Sequence, residues 1–357
     1  MNVEAQNTIM EAINTALCSF GMSGRVFHAP FIEAHSGFKL SAVFERSTTE
    51  AVKKYPGITT YRTLTEMLAD KAIELVIVNT PNATHFPFAL QCLQAGKHVI
   101  VEKPFTLSVN EADTLISQAK LSNKKISVFQ NRRWDSDFLT VKMVVEQNLL
   151  GNLVEAEFHF DRFKEHVGIK AHKEEPGPGT GILYDLGSHL IDQALLLFGK
   201  PLRVFADVSI MRPVSRVADY MEVILFYDTL RVRLKASYQV KEILPAYILH
   251  GSMGSFIKSR ADVQEADLQA GRTPTGDDWG KEREDNKGLL HTGIDGDDTR
   301  GYIPSLQGNY MLFYDGMYKA IRHDAPLPVT AQEGRLVIQV IEAAYKSLSS
   351  GCIVEVE

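Results

Sequence analysis

The stretch Gly96-Lys97-His98-Val99-Ile100-Val101-Glu102-Lys103-Pro104 decides how this chain is read. Its centre is a β-branched apolar run that ends on an acid and a lysine and is stopped by a proline. Such a run is the composition of a strand buried on both faces of a parallel sheet, and proline cannot continue a backbone ladder. Open α/β sheets bind ligands outside the carboxyl ends of their strands. Glu102 and Lys103 are thereby delivered to the edge where chemistry is done. Taken alone, the stretch is equally well explained by a solvated lysine at a strand end.

Outward from that strand the pattern repeats. Strand candidates lie at 13–20, 38–44, 75–80 and 126–130, and helical stretches at 64–69, 85–95 and 110–119, with Gly96 closing the second. Glycine is favoured just past a helix end. Strands alternating with helices specify βαβ units and a parallel sheet. After the first strand, Ser19-Phe20-Gly21-Met22-Ser23-Gly24 has the spacing of a G-x-G-x-x-G phosphate loop, with Ser19 at the first glycine. In such a loop Gly21 lets the backbone approach a pyrophosphate and Gly24 allows close helix–strand packing. The next helix turns its free N–H groups toward the phosphates. A tight turn would explain the glycines alone, but at the end of the first strand of an alternating series they specify a dinucleotide-binding domain, placed at 1–130. Glu45, at the end of the second strand, suits the ribose 2′-hydroxyl of NAD, whereas Arg46 and Ser47 suit the 2′-phosphate of NADP. These residues leave that choice open. Thr80, Pro81, Asn82 and His85, after the third long strand, are candidates to flank a nicotinamide.

From Val154 the period changes to two. Val154, Ala156, Phe158 and Phe160 alternate with Glu155, Glu157, His159 and Asp161, and Val232–Tyr238 does the same. With a further strand at 221–227, this predicts an antiparallel sheet with one solvated or partner-covered face. The glycine-rich loop 177–181 leads into a helix at 182–198, the polar run 271–301 reads as a long surface excursion, and 330–348 is a final amphipathic helix. The expected architecture is α/β in the first domain and an α+β second domain, 131–357, on an open, mostly antiparallel sheet. A chain of 357 residues exceeds one ordinary core.

Within the helix after the glycine loop, Asp185 and His189 are four positions apart and share a face. A carboxylate and an imidazole so placed form an orienting and proton-transferring pair; a helix cap and a buried, satisfied histidine are the ordinary alternative. His28, His35, His85, His98, His159, His166 and His172 lack ligand spacing, so no metal is expected. The formal net charge of −6, with both signs interspersed, excludes a nucleic-acid groove and a polybasic membrane surface. No segment is apolar enough to span a bilayer. The first dozen residues, with Glu4 and Glu11, do not read as a signal peptide. Cys18, Cys92 and Cys352 suit neither a disulfide framework nor a zinc site, and the expected location is a reducing cytoplasm.

Together, the glycine loop, Glu102-Lys103-Pro104 and Asp185-Leu186-Gly187-Ser188-His189 resemble the Gfo/Idh/MocA family of NAD(P)-dependent oxidoreductases. The resemblance runs from Ala16 to the last helix, and the strand-end Glu-Lys-Pro with an Asp-x-x-x-His helix is its specific part. The stretches 130–138, 159–162 and 184–189 look like a branch that includes NADP-dependent scyllo-inositol 2-dehydrogenases, which tilts the cofactor toward NADP. Ser19 and Glu45 depart from the pattern.

The resemblance implies a Rossmann domain, association into a homodimer or homotetramer through the exposed face of the second sheet, and a junction site holding Lys103, Asp185 and His189. The expected reaction is oxidation of a secondary alcohol on a cyclitol, sugar or polyol. His189 or Lys103 is the base or its relay, with His189 favoured as the proton acceptor; Lys103 then stabilises the reacting oxygen, and Asp185 holds the lysine or substrate hydroxyls. Arg132, Trp134, Arg162 and Tyr310 are candidates for the substrate wall, with Trp134 equally suited to an interdomain contact. Two competing readings are a cofactor-binding regulator without turnover, and a glycosidase or dehydratase that recycles its cofactor internally.

Overall fold

A computed structural model describes residues 11–168, 174–294 and 297–357. His172 and most of the N-terminal stretch weighed as a leader lie outside the described residues.

Six strands, β1 (Ile13–Leu17), β2 (Phe38–Phe44), β3 (Thr59–Tyr61), β4 (Leu75–Val78), β5 (His98–Glu102) and β6 (Ile126–Phe129), form one sheet in the order β3-β2-β1-β4-β5-β6. Every pairing is parallel. The order reverses between β1 and β4, the switch point where such sheets bind dinucleotides. Leu75–Val78 and Val99–Val101 have no exposed surface, as the apolar runs require. β3 has only three residues, Thr-Thr-Tyr, on the sheet edge, too short and polar to leave a periodic signal. The first strand stops at Leu17 rather than continuing to Phe20, because Ser19 is drawn sideways onto Asn79.

The second sheet has nine strands: β7 (Leu153–His159), β8 (Arg203–Ser209), β9 (Tyr220–Phe226), β10 (Arg231–Ser237), β11 (Tyr247–Gly251), β12 (Gly254–Lys258), β13 (Gly288–Ile294), β14 (Asp297–Ile303) and β15 (Val354–Glu355). Their order is β14-β13-β12-β11-β7-β10-β9-β8-β15. β7 and β10 pair in parallel, and the other ladders are antiparallel. The inner face carries Ala156, Phe158, Val223, Val232 and Leu234, all without exposed surface. On the other face Arg233 bridges Glu157 at 2.5 Å and Glu222 at 3.0 Å.

The run 271–301 departs from the expected loop. Its second half belongs to the β13–β14 hairpin, which extends the sheet edge through pairing with β12. Its first half is tied down by a buried ion pair, Lys258 Nζ to Glu282 Oε2 at 2.7 Å, and by the buried Trp279. Neither strand of the hairpin alternates polar and apolar residues, so only the neighbouring strand's ladder reveals it.

The last helix, Ala331–Ser350, opens with a capping box between Thr330 and Glu333. It spans both sheets: Glu342 accepts from the Val109 N–H, and Ser347 Oγ from the Ala206 N–H. A second pin is Arg133, whose guanidinium grips both oxygens of Asp192 at 2.7 and 2.8 Å and reaches Glu333 at 2.7 Å. These contacts hold the carboxyl ends of β5 and β6 against the second domain. Among the described residues no helix is long and apolar enough to cross a membrane, and no three His, Cys, Asp or Glu side chains group as a metal site.

Candidate active site

The glycine loop is fastened to the strand beside it, β4, through one asparagine. Ser19 donates from its N–H to Asn79 Oδ1 at 3.0 Å and from Oγ to the Asn79 carbonyl at 2.9 Å, while Asn79 Nδ2 returns a bond to the Ser19 carbonyl at 2.9 Å. A serine thus replaces the first glycine without loss, because its hydroxyl ties β1 to β4. A Cβ on Gly24 would lie 2.5 Å from the Ser19 carbonyl oxygen and 2.9 Å from Asn79 Nδ2, so no side chain fits there. A Cβ on Gly21 would meet nothing closer than Ser19 Oγ at 3.9 Å. Gly21 therefore borders open space, the cradle a pyrophosphate needs. Phe20 turns its ring inward onto Tyr55, and Met22 packs against the core, so both present only backbone to a ligand. The following turn, Gly24–His28, is wide, with i→i+5 bonding; such turns recur at functional sites.

At the end of β2 the expected roles divide. Glu45 is buried, and its carboxylate accepts from Thr48 Oγ1 at 2.6 Å and from the Glu50 and Ala51 N–H groups at 3.2 Å each. It caps the short helix Glu50–Lys54 rather than facing a ribose, a correction to the reading of Glu45 as a 2′-hydroxyl ligand. Arg46 and Ser47 remain exposed beside it. Arg62 braces this turn by donating to the Glu45 and Thr48 carbonyls.

After β4, Thr80 Oγ1 accepts from the Thr84 hydroxyl at 2.7 Å, and Pro81 starts a short turn at Asn82–Thr84. Asn82 donates to the Gly179 carbonyl at 2.7 Å, which draws the glycine-rich loop onto the first domain. Gly179 has φ +75°, and a side chain there would strike Leu107. His85 is buried between the Thr80 and Pro104 carbonyls, at 2.9 and 2.7 Å, and burial pushes its pKa down. It braces the two strand ends against each other and is not free to line a nicotinamide pocket, a second correction.

Glu102 and Lys103 diverge at the end of β5. Glu102 turns back to the phosphate loop: Oε1 accepts from Ser23 Oγ and pairs with His28 Nε2 at 3.1 Å, and Oε2 accepts from the Lys103 N–H at 3.1 Å. His28 continues to the Tyr314 hydroxyl at 2.9 Å. Burial would raise the Glu102 carboxyl, but His28, Ser23 and Lys103 outweigh it and hold its pKa at about 2. Lys103, followed by a cis peptide to Pro104, points the other way. Its Nζ donates to the Asp185 carbonyl at 2.5 Å and to Asp185 Oδ1 at 3.2 Å.

Asp185 sits in another wide turn, Leu183–Gly187, and His189 in the helix Ser188–Phe198 that continues it. Tyr238 reaches the second Asp185 oxygen at 3.5 Å. His189 is buried and its Nδ1 has no hydrogen-bond partner among the described residues. Burial first, then the charges of Lys103 and Arg132, push its pKa well below the ordinary value. The ring is neutral at pH 7, with a nitrogen available to take a proton.

The expected substrate wall splits in two. Arg132 and Arg162 stack on Phe160, each guanidinium 5.0 Å from the ring centroid, with His189 on the same ring at 6.4 Å. Trp134 instead meets Phe313 edge-on, and Tyr310 has no exposed surface and donates to Asp135 at 2.6 Å. Tyr310 belongs to the packing behind Arg132 rather than to a substrate surface, since its hydroxyl is buried on Asp135, while the half-buried Trp134 packs its ring on the helix that follows Tyr310. The sequence reading missed Arg260, 4.0 Å from the Phe160 centroid, along with Tyr238 and Glu265, which holds Arg132 at 2.5 Å. They lie on separate strands and loops with no shared spacing, so sequence carried no signal for them. Phe160 was legible as an inward residue from its period-two strand alone.

Residues 13–130 match the model of an oxidoreductase family described as its NAD-binding Rossmann fold, and residues 142–356 match that family's C-terminal alpha/beta domain. The chain belongs to the Gfo/Idh/MocA family. It is an NAD(P)-dependent oxidoreductase. It is 39% identical to the scyllo-inositol 2-dehydrogenase (NADP(+)) IolW of Bacillus subtilis, over 95% of this chain and 94% of that protein. It is 37% identical to the uncharacterized oxidoreductase YdgJ of Escherichia coli, over 94% and 96%. Among solved structures, the putative oxidoreductase yvaA of Bacillus subtilis superposes with a TM-score of 0.93 at 38% identity, covering 97% of this chain and 99% of that one. The loop, the strand-end lysine and the Asp-x-x-x-His helix are thus read within a Gfo/Idh/MocA framework.

Proposed function

We propose that this enzyme oxidises a secondary alcohol of a cyclitol, sugar or polyol reversibly, with NADP preferred over NAD. The observation that carries the reading is the triad itself: a lysine locked by Asp185 at 2.5 and 3.2 Å, one helical turn from a buried, neutral histidine. When bound, the nicotinamide supplies the hydride acceptor at its C4. His189 takes the hydroxyl proton through its unpartnered ring nitrogen. Lys103 donates a hydrogen bond to the same oxygen and stabilises the charge that develops on it. Asp185 fixes the ammonium, and Tyr238 fixes Asp185. The intact triad favours turnover over a purely regulatory, cofactor-binding role.

Preference for NADP is supported by Glu45, whose carboxylate is turned onto the helix start and away from a ribose hydroxyl. Arg46 is left to meet the 2′-phosphate, with Ser47 beside it. The relative named for NADP and scyllo-inositol points the same way. We place self-association on the open face of the nine-stranded sheet, where Phe205, Ile224, Phe226 and Ile248 are half-buried beside the Arg233 ion pairs.

Thermal shift with NADP and NAD, followed by nicotinamide absorbance with a panel of cyclitols and sugars, tests the reading. The expected result is a larger melting shift with NADP, lost in Arg46→Ala, and reduction of NADP by at least one polyol. Turnover of a substrate with no net absorbance change would favour internal cofactor recycling instead. Binding of NADP with no turnover of any kind would leave a regulator.

A further inference from the structure

The three arginines around Phe160 are more than its packing requires. We infer that the substrate carries an acidic group, a carboxylate or a phosphate monoester, bound by Arg162 and Arg260 beside the reacting carbon. The inference rests on the reading of the site given above.

Strand period places Phe160 and Arg162 on the inner side of the sheet, toward the helix carrying His189. Around that ring lie the guanidinium groups of Arg260 at 4.0 Å and of Arg132 and Arg162 at 5.0 Å each. Like charges gathered this closely need counter-charges. Arg132 has them, in Asp135 at 3.2 Å and Glu265 at 2.5 Å. Arg260 donates from Nη2 to the His159 carbonyl at 3.1 Å, and its nearest carboxylate, Asp135, is 3.8 Å from Nη1. Its Nε and Nη1 have no hydrogen-bond acceptor among the described residues.

Asp137 acts on Arg260 through its charge but not through a hydrogen bond, since its Oδ2 accepts from the Ala261 and Asp262 N–H groups at 2.7 and 3.1 Å and its Oδ1 from the Tyr247 hydroxyl at 3.4 Å. Asp185 is committed to Lys103, and Asp161 lies against His159 at 3.4 Å. Arg162 has no ion pair among the described residues; its guanidinium stacks on Phe160, with Glu265 and Tyr238 the charged and polar groups that feel it. On the ring that His189 also borders, one guanidinium thus has no ion pair and another has two N–H groups without an acceptor, among the described residues. Guanidinium forks match the paired oxygens of carboxylate and phosphate, and a neutral polyol supplies no charge to balance them. The subsite thus selects an acidic sugar or cyclitol and sets its orientation relative to His189 and Lys103.

The test uses the whole enzyme loaded with NADPH, and reads calorimetric binding of D-glucuronate, D-glucose 6-phosphate and D-glucose, with turnover under NADP measured separately. The expected result is at least tenfold tighter binding of one acid than of glucose, weakened by added salt. Arg162→Gln is expected to reduce that ratio to about one, and Arg162→Lys to restore part of it. Preference for glucuronate identifies a carboxylate, and preference for the phosphate ester identifies a phosphate. Equal binding of glucose and both acids to the wild-type enzyme overturns the subsite, and does so whether or not the variants fold. Tight acid binding with no turnover of any substrate keeps the subsite and overturns the dehydrogenase reading. Turnover of neutral polyols with no acid preference does the reverse.

Discussion

Glu102→Gln tests whether the strand-end acid is the strut between the glycine loop and Lys103. The substitution preserves size and removes the charge that Ser23, His28 and the Lys103 N–H converge on. In the folded enzyme the carboxyl titrates at about 2, against an ordinary 4.5. At about 1.4 kcal/mol per pKa unit, ionisation of this one group stabilises the fold by about 3 kcal/mol. The folded pKa is depressed, so the contribution is complete above the unfolded value and is lost as pH falls from 4.5 through 2.

Glutamine stands in for the protonated acid. With an unfolding entropy of about 2 cal/mol/K per residue, 3 kcal/mol in a chain of 357 residues corresponds to about 4 °C. The variant should therefore melt about 4 °C below wild type at pH 7, and about 1.4 kcal/mol of that difference should be gone by pH 3.5. Calorimetry of both proteins from pH 7 to 3.5 reads it. Equal melting temperatures at pH 7, or a gap that does not narrow in acid, would refute the reasoning.

Other outcomes follow from the same geometry. Lys103→Met should lower kcat by on the order of 10² to 10³, the cost of losing one donor to a developing oxyanion, while NADP binding measured by fluorescence changes little. Near-normal turnover would remove Lys103 from the chemistry. The same variant removes a positive neighbour that depresses His189, so the imidazole pKa should rise toward the ordinary histidine range, as followed by NMR titration; a fall would show that the Lys103 charge is not what acts on the ring. Gly24→Ala forces a methyl group against the Ser19 carbonyl and Asn79, at a cost of about 1–3 kcal/mol, and should weaken NADP binding at least tenfold. A wild-type melting curve with unchanged affinity would mean that the loop tolerates displacement.

The first domain was legible in the chain because its signals are local. Buried parallel strands read as apolar runs, the glycine loop has a set spacing, and Gly96 and Thr330 mark helix ends whatever surrounds them. The same locality made Lys103, Asp185 and His189 candidates, since strand end and helix period are properties of short segments. What the sequence could not contain was the choice of partners. Glu45 and Arg46 are neighbours, yet only the turn held by Arg62 shows the acid capping a helix and the arginine outside. Tyr310 and Arg162 were equal candidates for one wall, and the packing of the helix Met311–His323 buries the first against Asp135 while the sheet pleat brings the second to Phe160. Arg260, distant in sequence from the other two arginines, joins them only because β7, β11 and β12 lie side by side. The chain alone determined which residues could do redox chemistry on a carbinol. The fold decided which of them face one another, because charge pairing and burial act through space and leave no period in the sequence.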